Sequence, residues 1–135
     1  MKVLLDVNIV LDVLLDRPPW VDSAKDLWQA CDDARVEGYV SAISLPTLFY
    51  IVRKVAGLQK ARKAVRLCLD AFEVCAVNGQ ILEIAYATAG SDFEDNVQVA
   101  SAVAAGVDFI VSRDLKGLTN SQIPVRGADE IMKLL

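Results

Sequence analysis

The chain opens with a short apolar segment, Lys2–Leu5, that is followed at once by a carboxylate, Asp6. Four mostly apolar residues are typical of a strand that is buried on both faces of a parallel sheet. Apolar residues then recur at helical spacing through residues 7–16, which predicts a strand followed by a helix. In open α/β sheets, ligands bind at the edge formed by the carboxyl ends of the strands. The sequence therefore predicts that Asp6 lies at such an edge.

Strand-like and helix-like segments alternate along the remaining chain. The pattern predicts helices at residues 7–16, 20–34, 43–55, 58–71, 80–89, 92–105 and 128–135, and strands at 2–5, 38–42, 72–77, 109–112 and near 125. Alternation of this kind implies a parallel sheet with helices on both faces. We therefore expect one α/β domain over residues 1–135, with three α/β/α layers and a central, mainly parallel sheet of four to five strands.

The composition favours a folded protein that is not in a membrane. Apolar residues make up 54% of the sequence, which argues against disorder. No apolar run approaches the roughly 20 residues that cross a bilayer. Asp6 and Asp12 interrupt the N-terminal apolar run, where a signal peptide is uninterrupted. We therefore expect a cytoplasmic location.

The chain contains no histidine, and this excludes several chemistries. Ser-His-Asp and Cys-His catalysis and imidazole zinc sites all require one. The three cysteines, Cys31, Cys68 and Cys75, have no C-x-x-C spacing and indicate neither a disulfide framework nor a zinc site. Catalysis would therefore use carboxylates, lysines, hydroxyls or a bound metal ion. The net charge of −4 does not itself favour nucleic-acid binding.

Three further acids are predicted to approach Asp6. Asp114 follows the fourth predicted strand, so it shares an edge with Asp6, and Asp92 and Asp95 lie at i and i+3 in the opening turn of one helix. Two like charges about 4 Å apart repel by about 4 kcal/mol at an effective dielectric of about 20. Such a cluster takes up protons, spreads apart or binds a cation. Oxygen ligands without histidine or cysteine suit Mg²⁺ or Mn²⁺.

Each acid also has a simpler interpretation. The S-x-x-E pattern that begins at Ser91 is typical of a capping box, so Asp92 is explained equally well as part of a helix start. Asp114 alone is explained as an exposed loop acid. Asp6 alone is explained by a salt bridge to a lysine or by an Asx turn. Their predicted convergence favours a metal site, where a divalent ion would activate a water and offset charge on a phosphodiester.

The segments LLDVNIVLD and DFEDNVQVASAVAAGVDFIVSRD resemble those of a PIN domain, and the resemblance spans nearly the whole chain. The similarity is to bacterial single-domain PIN proteins that include the VapC-like toxins. It implies an endoribonuclease that depends on Mg²⁺ or Mn²⁺ and forms the toxin of a toxin–antitoxin pair. The partners that it implies are an RNA substrate, a small antitoxin protein and a second copy of the chain.

The resemblance also carries functional positions onto this chain. Asp6, Asp95 and Asp114 match the family's catalytic and metal-binding acids, and Asp92 matches an accessory acid. Supporting positions are Asn8, which neighbours the first acid, Ser112, which supplies the hydroxyl of the T/S-x-D motif, and Thr47.

Two positions depart from the family's pattern. Thr47 stands where many members have a glutamate, and Gly117 stands where many have an aspartate after the last acid. These departures motivate an alternative, a non-catalytic PIN module that binds RNA or a protein. A further alternative is a phosphatase that uses Asp6 as its nucleophile, because D-V-N-I-V resembles the opening motif of haloacid-dehalogenase-like enzymes. Asn8 stands where that chemistry needs a second acid.

Basic residues concentrate in two consecutive predicted helices that are joined at Gly57. They are Arg53, Lys54, Lys60, Arg62, Lys63 and Arg66. This cluster predicts either a positive surface for RNA phosphates or an ordinary solvated helix face. Arg113, beside Asp114, is a further candidate for a phosphate contact.

Some apolar residues allow two interpretations. Tyr50 is expected to pack in the core rather than to stack on a base. Leu11, Leu14, Leu15 and Trp20 predict either a surface for a partner or second copy, or ordinary core packing.

Overall fold

The computed structural model describes residues 1–90, 92–118 and 121–135. In chain order, the elements are β1 (Lys2–Leu5), α1 (Val7–Leu14), α2 (Val21–Asp32), β2 (Glu37–Ser41), α3 (Ser44–Ala56), α4 (Leu58–Ala71), β3 (Glu73–Cys75), α5 (Gly79–Ala87), α6 (Phe93–Ala105), β4 (Phe109–Val111), β5 (Val125–Arg126) and α7 (Ala128–Lys133). Within those ranges, no helix combines the length and the apolar character needed to cross a membrane.

The strands form one parallel sheet in the order β3-β2-β1-β4-β5. Strand β1 is central and pairs with β2 on one side and β4 on the other. The prediction of a mainly parallel sheet of four to five strands is confirmed. Because every strand runs in the same direction, all the carboxyl ends lie along one edge of the sheet.

Helices cover both faces of the sheet. Side chains alternate along β1, so Val3 and Leu5 pack in a core with residues of α1, α2, α3, α4 and α7. Leu4 faces the other side, where it packs with Ile110 and with Ala102 of α6. The predicted three-layer α/β/α architecture is therefore confirmed.

Several elements are shorter than the pattern predicts. The helix predicted to reach residue 16 ends at Leu14, and Asp16 adopts a left-handed φ of 52° that a helix does not allow. The strand predicted for residues 72–77 covers only Glu73–Cys75. This strand pairs only with β2, so nothing extends it further.

The prediction that Tyr50 packs in the core is wrong, because its side chain is 68% exposed. The buried residues of α3 are Ser44, Leu48 and Val52, which recur every four residues. Tyr50 lies two positions from Leu48, so it points about 200° around the helix and away from the core. Its ring instead makes an edge-on contact with Phe49 at a centroid distance of 5.6 Å.

Strand β2 approaches α2 so closely that residue 38 has no room for a side chain. A Cβ built on Gly38 would lie 2.7 Å from Cys31 Sγ and 2.8 Å from Phe72 Cδ1. Both neighbours belong to the packed interior, where small additions of volume force rearrangement.

We expect Gly38→Ala to destabilise the protein by about 1–3 kcal/mol, because the added methyl overlaps Cys31 and Phe72. Urea denaturation measures this change. Gly79→Ala is the matched control, since a Cβ there meets no heavy atom within 4 Å and the position begins α5. That control should be neutral or stabilising by up to about 1 kcal/mol. A Gly38→Ala variant as stable as the wild type would contradict the packing described here.

Candidate functional site

Asp6 lies where β1 ends and α1 begins. Its backbone N–H donates to the carbonyl of Val111 at 2.9 Å, which extends the pairing of β1 with β4 by one residue. Its carboxylate Oδ2 accepts a hydrogen bond of 2.9 Å from the hydroxyl of Ser112. Burial raises the pKa of Asp6, and the Ser112 hydroxyl and the Val7 N–H oppose that increase. Asp6 is thus fixed at the carboxyl edge of the sheet, as predicted.

Ser112 joins the ends of two neighbouring strands. Its Oγ donates to Asp6 and also accepts a hydrogen bond of 3.0 Å from the backbone N–H of Asp114. Asp114 Oδ1 in turn accepts a hydrogen bond of 3.1 Å from the backbone N–H of Gly117. The negative charge of Asp114 contributes to the raised pKa of Asp6, so the two acids lie close enough to interact.

Asp92 is the N-cap of α6. Its Oδ1 accepts a hydrogen bond of 3.0 Å from the backbone N–H of Asp95, which confirms the capping interpretation of Asp92. Ser91, where the predicted capping box begins, lies outside the described residues. Helix α6 therefore starts at Phe93, and Asp95 stands in its first turn.

Asp95 lies among several other acids. Burial and the charges of Asp92, Asp6, Asp114 and Glu94, in that order, raise the pKa of Asp95 to about 6. The contributions of Asp6 and Asp114 show that these acids, which are distant in sequence, lie within range of electrostatic interaction with Asp95.

Gly117 occupies the small space between two of these carboxylates. A Cβ built on it would lie 2.7 Å from Asp114 Oδ2 and 3.1 Å from Asp95 Oδ2. A cavity of about 290 Å³ opens beside this point and is also lined by Asp92 and Lys116. Any side chain at residue 117 would have to displace one of the acids. The glycine at residue 117, one of the two departures from the family's pattern, thus leaves room for both carboxylates.

Thr47 lies in the first turn of α3 and faces α6. Its Oγ1 is 3.1 Å from the carbonyl of Ile43 and 3.4 Å from Glu94 Oε1. The S-x-x-E pattern that ends at Glu94 predicts a capping box, so the sequence does not indicate Glu94 as a site residue. Its position directly before Asp95 is the only sequence signal that associates it with the acids.

Gln98 is a second residue that the sequence did not reveal. Its side chain is 5% exposed, and its amide opposes the increase in the pKa of Asp6, so it lies near that carboxylate. Its Nε2 nevertheless makes no hydrogen bond to any described residue. A buried donor of this kind normally has an acceptor, and here it adjoins the acids.

A third unpredicted residue is Asp12, whose side chain is fully buried in α1. Its Oδ1 accepts from Arg17 Nε at 2.9 Å, and its Oδ2 accepts from Arg113 Nε at 3.0 Å. The guanidinium of Arg113 also lies 3.8 Å from the ring centroid of Trp20. Arg113, a predicted phosphate contact, is thus held by Asp12 and Trp20. A lone acid within an apolar helix indicated that a cationic partner was needed.

Asn8 contacts this ion-pair cluster rather than the other acids. Arg17 Nη2 lies 3.2 Å from the carbonyl oxygen of Asn8 and 3.4 Å from its Oδ1. Asn8 is therefore linked through Arg17 to Asp12.

The six basic residues predicted to bind RNA are all exposed. Lys60 and Lys63 border a groove that contains Leu14 and Leu15, whereas Arg62 and Arg66 border another that contains Phe49. Arg66 forms an ion pair of 2.9 Å with Asp70, so part of its charge is neutralised.

The donor atoms suit a divalent ion in their chemistry, although they do not surround one point. Among the described residues, no group of three or more His, Cys, Asp or Glu side chains is gathered closely enough to hold a metal ion. Carboxylate oxygens at one edge and the space kept open by Gly117 fit a hard cation with oxygen ligands. The unpaired Gln98 Nε2 is a donor, and it fits a water or a phosphate oxygen beside such an ion.

Comparison with known proteins identifies a family and several similar folds. The family model described as PIN domain matches residues 2–116. The fold is similar to that of VapC20 from Mycobacterium tuberculosis, described as a sarcin-ricin loop cleaving toxin, with a TM-score of 0.73, 16% identity and coverage of 92% of this chain and 98% of that one. It is also similar to a toxin–antitoxin complex from Klebsiella pneumoniae, with a TM-score of 0.68, 22% identity and coverage of 93% and 97%. FitAcB from Neisseria gonorrhoeae gives a TM-score of 0.63, 17% identity and coverage of 93% and 97%. No curated protein matches the chain.

We expect the metal-free protein to lose stability through Asp95 as the pH rises from about 4 to about 7. The pKa of Asp95 is about 6 in the folded state against 3.8 for an unperturbed group, so the folded state binds more protons in this interval. The stabilisation from protonated Asp95 is fully present below a pH of about 3.8, and it is lost as the pH rises through about 6. After allowance for solvent screening, the loss is about 1 kcal/mol, or roughly 4 °C in Tm for a chain of this size.

Thermal unfolding in a chelator at pH 4 and pH 7 measures this effect. Asp95→Asn removes the titrating group, so its Tm should exceed that of the wild type by more at pH 7 than at pH 4. An equal difference at both pH values would contradict the raised pKa of Asp95.

We expect Asp12→Ala to cost about 2–4 kcal/mol, because it leaves two partly buried guanidinium groups without their shared acceptor. The control is Asp70→Ala, which removes an exposed ion pair with Arg66 and should cost less than about 1 kcal/mol. Urea denaturation of both variants distinguishes the two cases. Similar small losses would indicate that the Asp12 cluster does not stabilise the fold.

Proposed function

This chain belongs to the PIN domain family, and on that premise we propose that it is a divalent-metal-dependent endoribonuclease that hydrolyses RNA phosphodiester bonds. The observation that supports this best is that Asp6 and Asp114, from two other segments of the chain, both lie within range of electrostatic interaction with Asp95, and that Asp95 and Asp114 border the same space at Gly117. We further propose that the chain is the toxin of a toxin–antitoxin pair. The similar folds of VapC20, described as a sarcin-ricin loop cleaving toxin, and of the Klebsiella toxin–antitoxin complex support this role.

The cofactor in this proposal is Mg²⁺ or Mn²⁺, held by Asp6, Asp95 and Asp114. Asp92, which the resemblance matches to an accessory acid, caps the helix that carries Asp95. When bound, such an ion supplies positive charge that activates a water and offsets the charge developing on the phosphate. Oxygen ligands without histidine or cysteine are the set these ions prefer.

The surrounding residues orient the acids. Ser112 fixes the Asp6 carboxylate and the backbone of Asp114 relative to each other through one hydroxyl. Asp92 caps the helix turn that carries Asp95. Asp12 holds Arg113, which lies between Ser112 and Asp114, so the short segment that carries the last acid is anchored. Arg113 therefore has a positioning role in this proposal in place of the predicted phosphate contact.

We propose the exposed basic side chains of α3 and α4 as the surface that holds the RNA backbone. This surface consists of Arg53, Lys54, Lys60, Arg62, Lys63 and Arg66. Helix α3 begins at the acids with Thr47 and ends among these cations, so it connects the two regions. Contacts to phosphates from such side chains would make RNA binding weaken with increasing salt.

A small antitoxin protein is the proposed partner, and a second copy of the chain is a further one. A groove of about 440 Å³ between α1, α3 and α4 has apolar walls that include Leu14, Val55 and Leu67, and its rim includes Lys60 and Lys63. It fits an amphipathic segment with acidic residues, which matches the charge of the rim. Leu11, by contrast, is fully buried in the core.

The competing function is a non-catalytic PIN module that binds RNA or a protein. One specific observation favours it, namely that no three acidic side chains among the described residues surround a common point. The phosphatase alternative has no comparable support, since Asn8 stands in place of its second acid and contacts Arg17.

We expect the purified protein to cleave a structured RNA in the presence of Mn²⁺ and to lose this activity in a chelator. Asp6→Asn should reduce the cleavage rate by about 10²-fold or more, because it removes charge at the reacting centre. Asp129→Asn, an equal change of charge on α7, is the control and should cleave normally. Addition of the proposed antitoxin should inhibit the reaction.

Gel analysis of the RNA fragments over time gives these rates. Equal cleavage by the wild type and Asp6→Asn would show that the proposed site is wrong. Binding of Mn²⁺ without any cleavage would favour the non-catalytic module.

A further inference from the structure

Two helix starts face each other at the carboxyl edge of the sheet. Thr47 lies in the first turn of α3 and Glu94 in the first turn of α6, and Thr47 Oγ1 is 3.4 Å from Glu94 Oε1. Glu94 of α6 thus reaches across to α3, where Thr47 presents a neutral hydroxyl. Positive charge at both helix starts favours an anionic group between them.

The carboxylate of Glu94 is weakly engaged. Thr47 has one hydroxyl proton, and its shorter hydrogen bond, of 3.1 Å, goes to the carbonyl of Ile43. Glu94 forms no ion pair with any cation in the described ranges. Asp92, by contrast, is occupied as the helix cap through its hydrogen bond to the N–H of Asp95. Of the two acids that precede Asp95 in this turn, Glu94 is therefore the one whose carboxylate accepts the longer hydrogen bond.

Gln98 is an independent indication of a ligand on the same side of α6. It follows Glu94 by four residues, so the two side chains share one face of the helix. Its side chain is 5% exposed beside Asp6, and its Nε2 has no acceptor among the described residues. A water or a phosphate oxygen at the acids is the kind of acceptor that this buried donor needs.

We infer that Glu94 supplies the fourth carboxylate of the acidic site, whereas Asp92 serves mainly to cap α6. The inference rests on the proposed metal-dependent function. Thr47 of α3 offers only a hydroxyl at this point, so the carboxylate beside it comes from Glu94 of α6.

Isothermal titration of Mn²⁺ into the metal-free protein tests this assignment. Glu94→Gln and Asp92→Asn remove the same charge from neighbouring positions, and asparagine retains the ability to cap a helix. Glu94→Gln should weaken the Kd for Mn²⁺ by about 10-fold or more, the effect of losing an oxygen that supports the metal. Asp92→Asn should change it by less than about 3-fold.

A rescue variant separates a ligand from a general effect of charge. Thr47→Glu, made together with Glu94→Gln, places a carboxylate on the opposite helix start and should restore most of the Mn²⁺ affinity. Thermal unfolding of each variant verifies that it is folded.

The outcomes separate this inference from the proposed function. If Asp6→Asn abolishes Mn²⁺ binding but Glu94→Gln binds as the wild type does, the inference is overturned and the metal-dependent function stands. Equal losses for Asp92→Asn and Glu94→Gln would also overturn it, because the effect would then be one of total charge. If the wild type binds no Mn²⁺, the inference and the proposed function both fail.

Discussion

The parallel pairing of β1 with β2 and β4 determines where Asp6 lies relative to the turn that follows β4. The ladder continues past the end of β1, because the backbone N–H of Asp6 donates to Val111. Asp6 therefore cannot move along the sheet without breaking a main-chain hydrogen bond. Helix α1 begins next to it, and the turn that follows β4 begins beside it. The position of the acids is thus a property of the sheet rather than of a flexible loop.

The protein contains acids in two contrasting environments. Asp12 is fully buried and shares two guanidinium groups, which makes it part of the stabilising framework. Asp6, Asp95 and Asp114 form no ion pair with any described lysine or arginine. Burial, together with the charges of neighbouring acids, raises the pKa of Asp95 to about 6. Acids that are brought together and left without cations lower the stability of a fold, and this is typical of functional sites. Asp12 is thus paired with cations, whereas Asp95 lies among other acids within the same chain.

The sequence predicted what depends on short-range pattern and on the direction of the strands. Alternating periodicities were sufficient for the layered fold, and the shared edge of a parallel sheet was sufficient to bring Asp6 and Asp114 together. It did not reveal contacts that depend on how whole helices pack, such as Glu94 with Thr47 or Asp12 with Arg113, which is 101 residues away. The aromatic character of Tyr50 predicts a core position, but its position in the helical repeat relative to Leu48 and Val52 places it on the outer side of α3.

The stacking of Arg113 on Trp20 has an optical consequence. The chain has two tryptophans, and Trp28 is partly buried and packed edge-on against Phe72 at a centroid distance of 4.7 Å. Trp20 is 41% exposed and lies under the guanidinium next to Asp114. Indole emission responds to a nearby cation and to water, so movement of the segment that carries Asp114 would alter the fluorescence of Trp20 and leave that of Trp28 constant. The protein thus contains a built-in spectroscopic reporter beside its acids.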